Sequence, residues 1–244
     1  MPTILAINPN TTGAVTTLLG RSLREATPEV RWRMATGRFG ARYIASEAAC
    51  AIASHAAIDA WANHSEGCDA VLLACFGDPA LFALRELSAV PVVGLAEASM
   101  DAAAASTERF SIVTGGPRWA PMLERLAQAL GHGLRLASVR AIGITGGQAA
   151  ENPEFAIGEL AQACRLARSE DGAGAVILGG AGFAGLAARV EAAAGMSVID
   201  SVAAGARAAA RLALGAPLSY ARRAGAASTL CTGIDAVLAG KLFD

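Results

Sequence analysis

The residue best placed to do chemistry is Cys75, which follows an apolar run and precedes the turn sequence Phe76-Gly77-Asp78-Pro79. A proline at this point is typical of the first turn of a helix. A thiol beside the unpaired N–H groups of a helix N-terminus is expected to have a lowered pKa and to react as a thiolate. The same N–H groups could hold a carboxylate or enolate oxygen. A cysteine at a strand end can also be a small buried hydrophobe, but the glycine and the Asp-Pro turn favour the reactive interpretation.

The remaining cysteines are in or beside predicted helices that lack such a turn, and we interpret them as core or unreactive residues. They are Cys50, Cys68, Cys164 and Cys231. Five cysteines without a C-x-x-C pair, together with three scattered histidines, predict neither a disulfide framework nor a zinc site. The sequence therefore predicts a cytoplasmic protein without a metal.

Two short polar loops follow predicted strands and are candidates for substrate binding. The first is Asn8-Pro9-Asn10-Thr11-Thr12, and the second is Thr114-Gly115-Gly116. Helix capping explains one or two of these residues, but so long a polar run exceeds what a cap needs, and loops at the mouth of a sheet often bind substrate. Phe39 and Tyr43, in the loop before the helix that starts at Glu47, could shape the pocket or belong to the core. The candidate binding residues in these segments are Asn8, Asn10, Thr11, Phe39, Tyr43, Thr114 and Gly115.

The segment Gly180-Ala181-Gly182-Phe183-Ala184-Gly185 spells G-x-G-x-x-G after a predicted strand, with Asp200 at the end of the next strand. This is the fingerprint of a dinucleotide-binding loop in its expected context. Two observations weigh against that interpretation. Too little chain follows for the remaining strands of a two-halved Rossmann sheet, and the segment repeats the Cys75 segment, which lacks this glycine pattern. We therefore expect no cofactor.

The elements that must position these residues alternate along the chain. Short runs that are apolar on both faces are typical of parallel strands covered by helices, and Ala-rich stretches of helical type lie between them. The predicted strands are Thr3–Ile7, Ala70–Leu73, Val90–Val93, Phe110–Val113, Ala175–Leu178 and Ser197–Ile199. The predicted helices are Thr12–Ala26, Glu47–Ser65, Trp119–Leu130, Phe155–Ser169 and Ser201–Leu214. Such alternation predicts βαβ units, so the fold class is α/β with parallel sheets.

An internal repeat divides the chain. The segment Asp69–Leu81 lines up without a gap with Gly174–Leu186, which brings Cys75 onto Gly180. The same register matches further pairs: Val71 with Val176, Gly77 with Gly182, Leu81 with Leu186, and Pro91–Val93 with Met196–Val198. Chance similarity between two βαβ units is the alternative to duplication. The sustained register favours two pseudo-symmetric lobes with the site in the cleft between them, where the strand ends meet.

We place the first lobe at residues 1–97 and the second at 98–204, and we expect residues 205–244 to pack back on the first lobe. The composition fits a large buried core, since 54% of the 244 residues are hydrophobic and only 17% are charged. A net charge of −1 without a Lys/Arg block makes nucleic acid an unexpected partner. Mean hydropathy is positive at +0.43, but we find no uninterrupted apolar stretch of about 18 residues, so no membrane span is expected.

With these residues in place, the chain resembles hydantoin and allantoin racemases of the aspartate/glutamate/hydantoin racemase superfamily. The resemblance lies in Ile7–Thr12, Ala74–Pro79, Pro91–Ala98, Leu178–Phe183 and Val198–Asp200, in order over nearly the whole chain. It implies two α/β lobes with the site between them, and cofactor-independent chemistry at a carbon next to a carbonyl. The racemases use two thiols on opposite faces of the substrate, and the first matches Cys75.

The second thiol would fall at Gly180, where this sequence has no side chain. Phe183 also stands where methionine is commoner in the superfamily, and no acid or base lies between Gly179 and Gly185. The resemblance places Phe76, Gly77, Ala181 and Gly182 beside the substrate. Two-base racemisation needs a proton donor on each face, so the chain is expected to racemise slowly or not at all.

Three explanations of Gly180 stay open at this point. The cysteine could have been replaced in the laboratory to trap a complex, the enzyme could have diverged to a one-thiol reaction, or a water or a distant side chain could fill the second role. Arylmalonate decarboxylase, a relative, needs one cysteine, because loss of carbon dioxide generates the enolate that this thiol protonates.

The activity that the resemblance implies is that of a racemase acting on a hydantoin-like or amino-acid-like small molecule. A one-thiol decarboxylase and an inactive ligand-binding protein with the same cleft are the alternatives. Tight ligand binding without turnover would favour the last. We also expect a homo-oligomer.

Overall fold

The structure is a computed structural model, and it describes residues 1–144, 146–218 and 233–243. Cys231 lies outside the described residues. The described strands form two parallel four-stranded sheets, one in each half of the chain. The strands are β1 (Thr3–Asn8), β2 (Arg31–Thr36), β3 (Ala70–Leu73), β4 (Val92–Gly94), β5 (Phe110–Gly115), β6 (Leu136–Ile142), β7 (Ala175–Gly179) and β8 (Val198–Asp200).

Helices cover the sheets. They are α1 (Gly13–Ala26), α2 (Glu47–His64), α3 (Leu81–Leu87), α4 (Leu95–Ser106), α5 (Trp119–Ala129), α6 (Gly146–Glu151), α7 (Pro153–Asp171), α8 (Ala187–Ala194), α9 (Ser201–Ala213) and α10 (Ala236–Phe243), with a single 3-10 turn at Ala181–Phe183. The predicted α/β class is confirmed. No helix among the described residues is long and apolar enough to cross a membrane.

The two sheets have the same topology, which supports the predicted duplication. Their strand orders are β2-β1-β3-β4 and β6-β5-β7-β8. The repeat register is off by one residue at its far end, however. Val71 pairs with Val92 in the first sheet and Val176 pairs with Val198 in the second, so Val198, and not Ser197, is the equivalent of Val92. The extra residue is accommodated near α8, which is one residue longer than α3.

The degree of burial explains which strands could be predicted from the sequence. β1, β3, β5 and β7 are the inner strands of their sheets, and β3, β5 and β7 are buried over their whole length. The two strands absent from the prediction are the edge strands β2 and β6, whose side chains are largely exposed or half-buried. In β2, Arg31 and Arg33 alternate with Trp32, so the run does not read as an apolar strand. Charged side chains of this kind are common on edge strands.

Helices α4 and α9 pack against each other and connect the lobes. A Cβ atom at Gly205 of α9 would be 2.6 Å from the side chain of Leu95 in α4, so this glycine permits the close approach. Helix α9 contacts α1 and β3 of the first lobe, and α10 packs on α2. Both predicted lobe boundaries fall inside these connecting helices, at 97/98 in α4 and 204/205 in α9. The division into lobes at those residues stays a prediction.

Candidate active site

Cys75 lies in a tight turn at the carboxyl end of β3. Its carbonyl oxygen accepts hydrogen bonds from the backbone N–H groups of Gly77, at 2.9 Å, and Asp78, at 3.0 Å. Helix α3 begins only at Leu81, after Ala80 in a left-handed conformation with φ of 69°. The predicted helix start at Pro79 is therefore two residues too early, and α3 has only seven residues. The end of this short helix is set back from the thiol.

The environment of the thiol is apolar. Cys75 is partly buried against the main hydrophobic core. Burial raises the pKa of the Cys75 thiol, and the nearby Cys50 thiol and Asp78 carboxylate raise it further. The sequence predicted a lowered pKa, and for this structure that prediction is wrong. The reason is that α3 starts too late for its N-terminus to offset the loss of solvation.

Asp78 fixes the Cys75 turn to a different helix. Its carboxylate is buried and accepts hydrogen bonds from the backbone N–H groups of Ala96, at 3.0 Å, and Glu97, at 2.8 Å, at the start of α4. A Cβ atom at Gly94 would lie 2.2 Å from the carboxylate, so only glycine admits Asp78 there. Burial raises the pKa of Asp78 to about 7, although the two N–H groups oppose the shift. Sequence reasoning treated Asp78 as part of a turn and missed this cap.

The turns of Cys75 and Gly180 lie against each other. The ring of Phe76 packs on Gly179, where a Cβ atom would be 2.4 Å from the ring. Thr114 is buried, and its hydroxyl donates to the carbonyl of Gly179 at 2.9 Å, which ties β5 to the end of β7. Two predicted residues, Phe76 and Thr114, thus both contact Gly179, the residue before Gly180.

Gly180 itself adopts a glycine conformation. Its φ is +123°, a region that L side chains rarely adopt. Space is available, since a Cβ atom would be no closer than 3.6 Å to Phe183 and 3.9 Å to the Thr114 hydroxyl. Ala181 and Gly182 follow in the 3-10 turn and are partly buried. Position 180 therefore has room for a side chain, but its backbone conformation favours glycine.

The glycine pattern after β7 does not build a dinucleotide loop. The chain makes one 3-10 turn at Ala181–Phe183, and helix α8 starts only at Ala187. Asp200, the acidic residue of the fingerprint, accepts from the N–H of Gly185 at 3.2 Å and from that of Ala203 at 2.9 Å. Its carboxylate is thus bound by two backbone N–H groups of the protein. In a dinucleotide site it would instead bind the ribose.

The first polar loop is largely organised by its own side chains. Asn8 is fully buried, and its amide nitrogen donates to Asn10 Oδ1 and to Thr16 Oγ1, each at 3.0 Å. Asn10 Oδ1 also accepts from the N–H of Thr12 at 2.9 Å. Asn8 therefore shapes the loop from within. Asn10 and Thr11 are partly exposed at its surface, where a ligand could reach them.

The structure separates the two aromatic candidates of the following loop. Phe39 packs edge-on against His55 of α2, with ring centroids 4.9 Å apart. Tyr43 extends to the second lobe, and its hydroxyl donates to the carbonyl of Gly115 at 3.3 Å. Its side chain is about half exposed. Tyr43 therefore contacts Gly115, another candidate residue, whereas Phe39 packs on α2.

Two neighbours of the site were missed by sequence reasoning. Trp119, at the start of α5, is buried against the Cys75 turn, and a Cβ atom at Gly77 would lie 2.6 Å from its ring. Cys50, interpreted as core or unreactive, is only partly buried and lines a cavity of about 210 Å³ with Gly77, Trp119 and Met122. Neither carries a local sequence signal, because the contacts join separate elements. Among the described residues, no group of three His, Cys, Asp or Glu side chains could hold a metal ion.

The chain thus has two α/β lobes of the same topology, and the turns that follow their matching strands β3 and β7 are in contact through Phe76 and Gly179. The chain belongs to the family described as Asp/Glu/Hydantoin racemase, which its residues 4–209 match. The chain is 36% identical to a hydantoin racemase of Paenarthrobacter aurescens over 214 residues, 84% of this chain and 88% of the relative.

A second hydantoin racemase, of Rhizobium meliloti, is 38% identical over 140 residues, which are 57% of this chain and only 58% of that relative. Among solved structures, allantoin racemase of Klebsiella pneumoniae has a TM-score of 0.81 at 33% identity and covers 88% of this chain and 89% of its own. A liganded mutant of arylmalonate decarboxylase shares the fold, with a TM-score of 0.67 at 21% identity over 91% of this chain and 97% of its own.

Proposed function

We propose that the protein is a cofactor-independent racemase that acts at a carbon next to a carbonyl, with Cys75 as its thiol. The observation that carries the proposal is the contact between the two turns, in which Phe76 beside Cys75 packs on Gly179 beside Gly180. This contact supports a site in which the thiol lies between two matching strand ends, since ligands of α/β sheets bind at strand ends. The relatives are described as hydantoin and allantoin racemases, so a cyclic ureide is the proposed substrate class.

The proposed reaction starts with the Cys75 thiolate. It removes the proton from the α-carbon, and the electron pair of the C–H bond passes into an enolate. Backbone N–H groups at the start of the turn after Gly180 are suited to the enolate oxygen, because the first N–H groups of a helical turn lack partners within it. Asn10 and Thr11 at the exposed edge of the first loop could contact the ring amides. The finer assignment of these contacts is part of the proposal.

The function is tested by incubating each enantiomer of a 5-substituted hydantoin with the purified protein in D2O. Inversion is followed by circular dichroism and deuterium uptake at the α-carbon by NMR. We expect uptake that depends on Cys75 and is lost in Cys75→Ser. Cys50→Ser is the matched control, because it removes a neighbouring thiol on another element. Uptake that survives Cys75→Ser would contradict the role of the thiol.

A one-thiol decarboxylase is the second candidate, and Gly180 is the observation that favours it. Only one of the two matched turns carries a thiol, and protonation of an enolate produced by loss of carbon dioxide needs only one. The distinguishing measurement is release of carbon dioxide from an α-disubstituted malonate. Release from the malonate, without deuterium uptake into any hydantoin, would replace the racemase proposal. The expected homo-oligomeric state can be measured on the same preparation by light scattering.

A further inference from the structure

The open chemical question is the second proton. If Cys75 removes a proton from one face of the α-carbon, inversion requires a group that delivers a proton to the other face. Gly180 cannot do so. The titratable groups that interact with Cys75 in the structure are Cys50, Asp78 and Tyr43.

Two of these three groups, Asp78 and Cys50, belong to the surroundings of the Cys75 turn. The Asp78 carboxylate is buried and engaged by the N–H groups that start α4. Cys50, on α2, lines a cavity with Gly77 of the Cys75 turn and with Trp119 and Met122 of α5 in the second lobe. Asp78 is therefore unsuited to deliver a proton, whereas Cys50 is a rival donor that its own variant tests.

Tyr43 crosses the junction of the lobes through a direct hydrogen bond. It comes from the first lobe, but its hydroxyl donates to the carbonyl of Gly115 at the end of β5 in the second lobe, at 3.3 Å. A Cβ atom at Gly116 would lie 3.5 Å from the same hydroxyl. Strand β5 pairs directly with β7, Thr114 being opposite Gly179. The phenol thus lies against the lobe whose thiol is missing.

The loop that carries Tyr43 is held to the polar loop of the site. The N–H of Thr11 donates to the carbonyl of Ala41 at 3.1 Å, and the hydroxyl of Thr12 donates to the carbonyl of Arg42 at 2.8 Å. Five residues before Tyr43, Arg38 is paired with the buried carboxylate of Asp59. These contacts position the phenol beside the site. Its half-exposed ring leaves room for a ligand to replace the long bond to Gly115.

We propose that Tyr43 is the second proton-transfer group of this enzyme, a phenol in the role that a thiol at position 180 would fill. The inference rests on the proposed racemase function and deepens it. In the forward step the C–H bond breaks, the Cys75 S–H bond forms, and the electron pair becomes the enolate. In the second step the Tyr43 O–H bond breaks, its proton forms the new C–H bond on the other face, and the enolate pair returns to carbon. The phenolate then regains the proton from the thiol through water.

The state of the two groups suits this sequence. Burial raises the pKa of Tyr43, a hydrogen bond with Trp119 opposes the shift, and a charged Cys75 raises the pKa again. The phenol is therefore held in its protonated form when Cys75 is a thiolate, which is the combination the forward step needs. A phenol is a weaker acid than a thiol, so inversion is expected to be slower than exchange on the Cys75 face.

The test compares Tyr43→Phe with the unmodified chain in the hydantoin assay, because this change removes only the hydroxyl. Exchange into the enantiomer whose α-proton faces Cys75 is expected to stay within about threefold. Inversion is expected to fall by roughly 10²–10⁴-fold, the contribution of one positioned proton-transfer group. Tyr43→His is expected to restore part of the inversion, because imidazole can donate a proton. Cys50→Ser serves as the control for the rival thiol.

Three results would overturn the assignment. Inversion unchanged in Tyr43→Phe, inversion lost in Cys50→Ser instead, or exchange and inversion lost to the same extent in Tyr43→Phe would each show that the phenol is not the second donor. The last would make Tyr43 a binding residue. If the unmodified chain neither exchanges nor inverts a hydantoin, the racemase function is refuted and the assignment with it. The two failures differ, because a wrong assignment alone leaves exchange by the unmodified chain intact.

Discussion

In each lobe an aspartate links the turn that follows the third strand of the sheet to the start of a helix, but the aspartate belongs to the turn in one lobe and to the helix start in the other. In the first lobe the aspartate is in the turn, and Asp78 reaches across to the N–H groups that start α4. In the second lobe it is at the helix, since Asp200 precedes α9, caps it, and reaches back to the N–H of Gly185. Gly94 and Asp200 occupy the same place in the two sheets, next to Leu73 and Leu178.

Because the two aspartates lie at different places, the two turns differ in how firmly they are fixed. Asp78 is buried, with its φ in the left-handed region at 46°, so the Cys75 turn is locked by a carboxylate inside the protein. Asp200 is only partly buried and its bond to Gly185 is exposed. The thiol therefore lies on the more constrained turn, and the turn with Gly180 at the matching position is the looser one. A proton-transfer group needs a fixed position, which fits the presence of the remaining thiol on the constrained side.

The largest expected effect tests the chemical half of this comparison. Cys75→Ser should abolish deuterium uptake into hydantoins, because a serine hydroxyl at this site is far less acidic than a thiol. The melting temperature should change little, since the two side chains have similar size. Loss of the fold in Cys75→Ser, seen by far-UV circular dichroism, would mean that the thiol has a packing role and that the activity loss is indirect.

The second largest effect is expected from a thiol placed in the looser turn. In a Tyr43→Phe background, Gly180→Cys is expected to raise inversion by roughly 10²–10⁴-fold, because it supplies a donor on the other face. The gain comes with a loss of stability of about 1–3 kcal/mol, since φ of +123° at position 180 is strained for any residue with a Cβ atom. Gly180→Ala, compared by urea unfolding, gives the same backbone cost without the thiol. Inversion by the alanine variant would show that the thiol is not the cause.

How far the sequence could predict this site depends on the range of the contacts. The inner strands, such as β3, could be predicted because they are apolar on both faces, and the position of Cys75 followed from the turn after that strand. The edge strand β2 could not, because Arg31 and Arg33 give it a polar pattern. The pKa direction of Cys75 was wrong because it is set by burial. Burial at this position arises from distant contacts, such as Phe76 on Gly179, that no local motif encodes.

The raised pKa of Cys75 gives a prediction of intermediate size. Because burial favours the neutral thiol, the pH lies below the pKa of Cys75 over this range. The thiolate fraction should therefore rise about tenfold for each unit by which the pH is raised. Alkylation of Cys75 by iodoacetamide, followed by peptide mass spectrometry, should accelerate accordingly from pH 7 to pH 9, and deuterium uptake should follow it. A rate that is already constant at pH 7 would instead support the lowered pKa that the sequence alone predicted.

The smallest expected effect compares the two aspartates directly. Asp78→Ala removes a buried cap with two hydrogen bonds, and Asp200→Ala removes a partly exposed one. Loss of a cap typically costs about 0.5–2 kcal/mol, so we expect Asp78→Ala near the upper end of this range and Asp200→Ala near the lower end, measured by urea unfolding. Asp78→Asn should recover part of the loss, because its amide oxygen still accepts one bond.

The unfolding free energy lost in Asp78→Ala should also depend on pH. Its pKa in the folded protein is raised to about 7, above the value of about 3.9 for an unperturbed aspartate. The folded state therefore binds the proton more tightly than the unfolded chain, and the stabilisation from Asp78 is full below about pH 4 and lost as the pH rises through 7. The difference in unfolding free energy between the unmodified chain and Asp78→Ala should be larger at pH 5 than at pH 8. A difference that grows toward pH 8 would mean that the N–H groups of Ala96 and Glu97 outweigh burial and hold the carboxylate charged, so that the constrained turn is locked by an ion at a helix N-terminus.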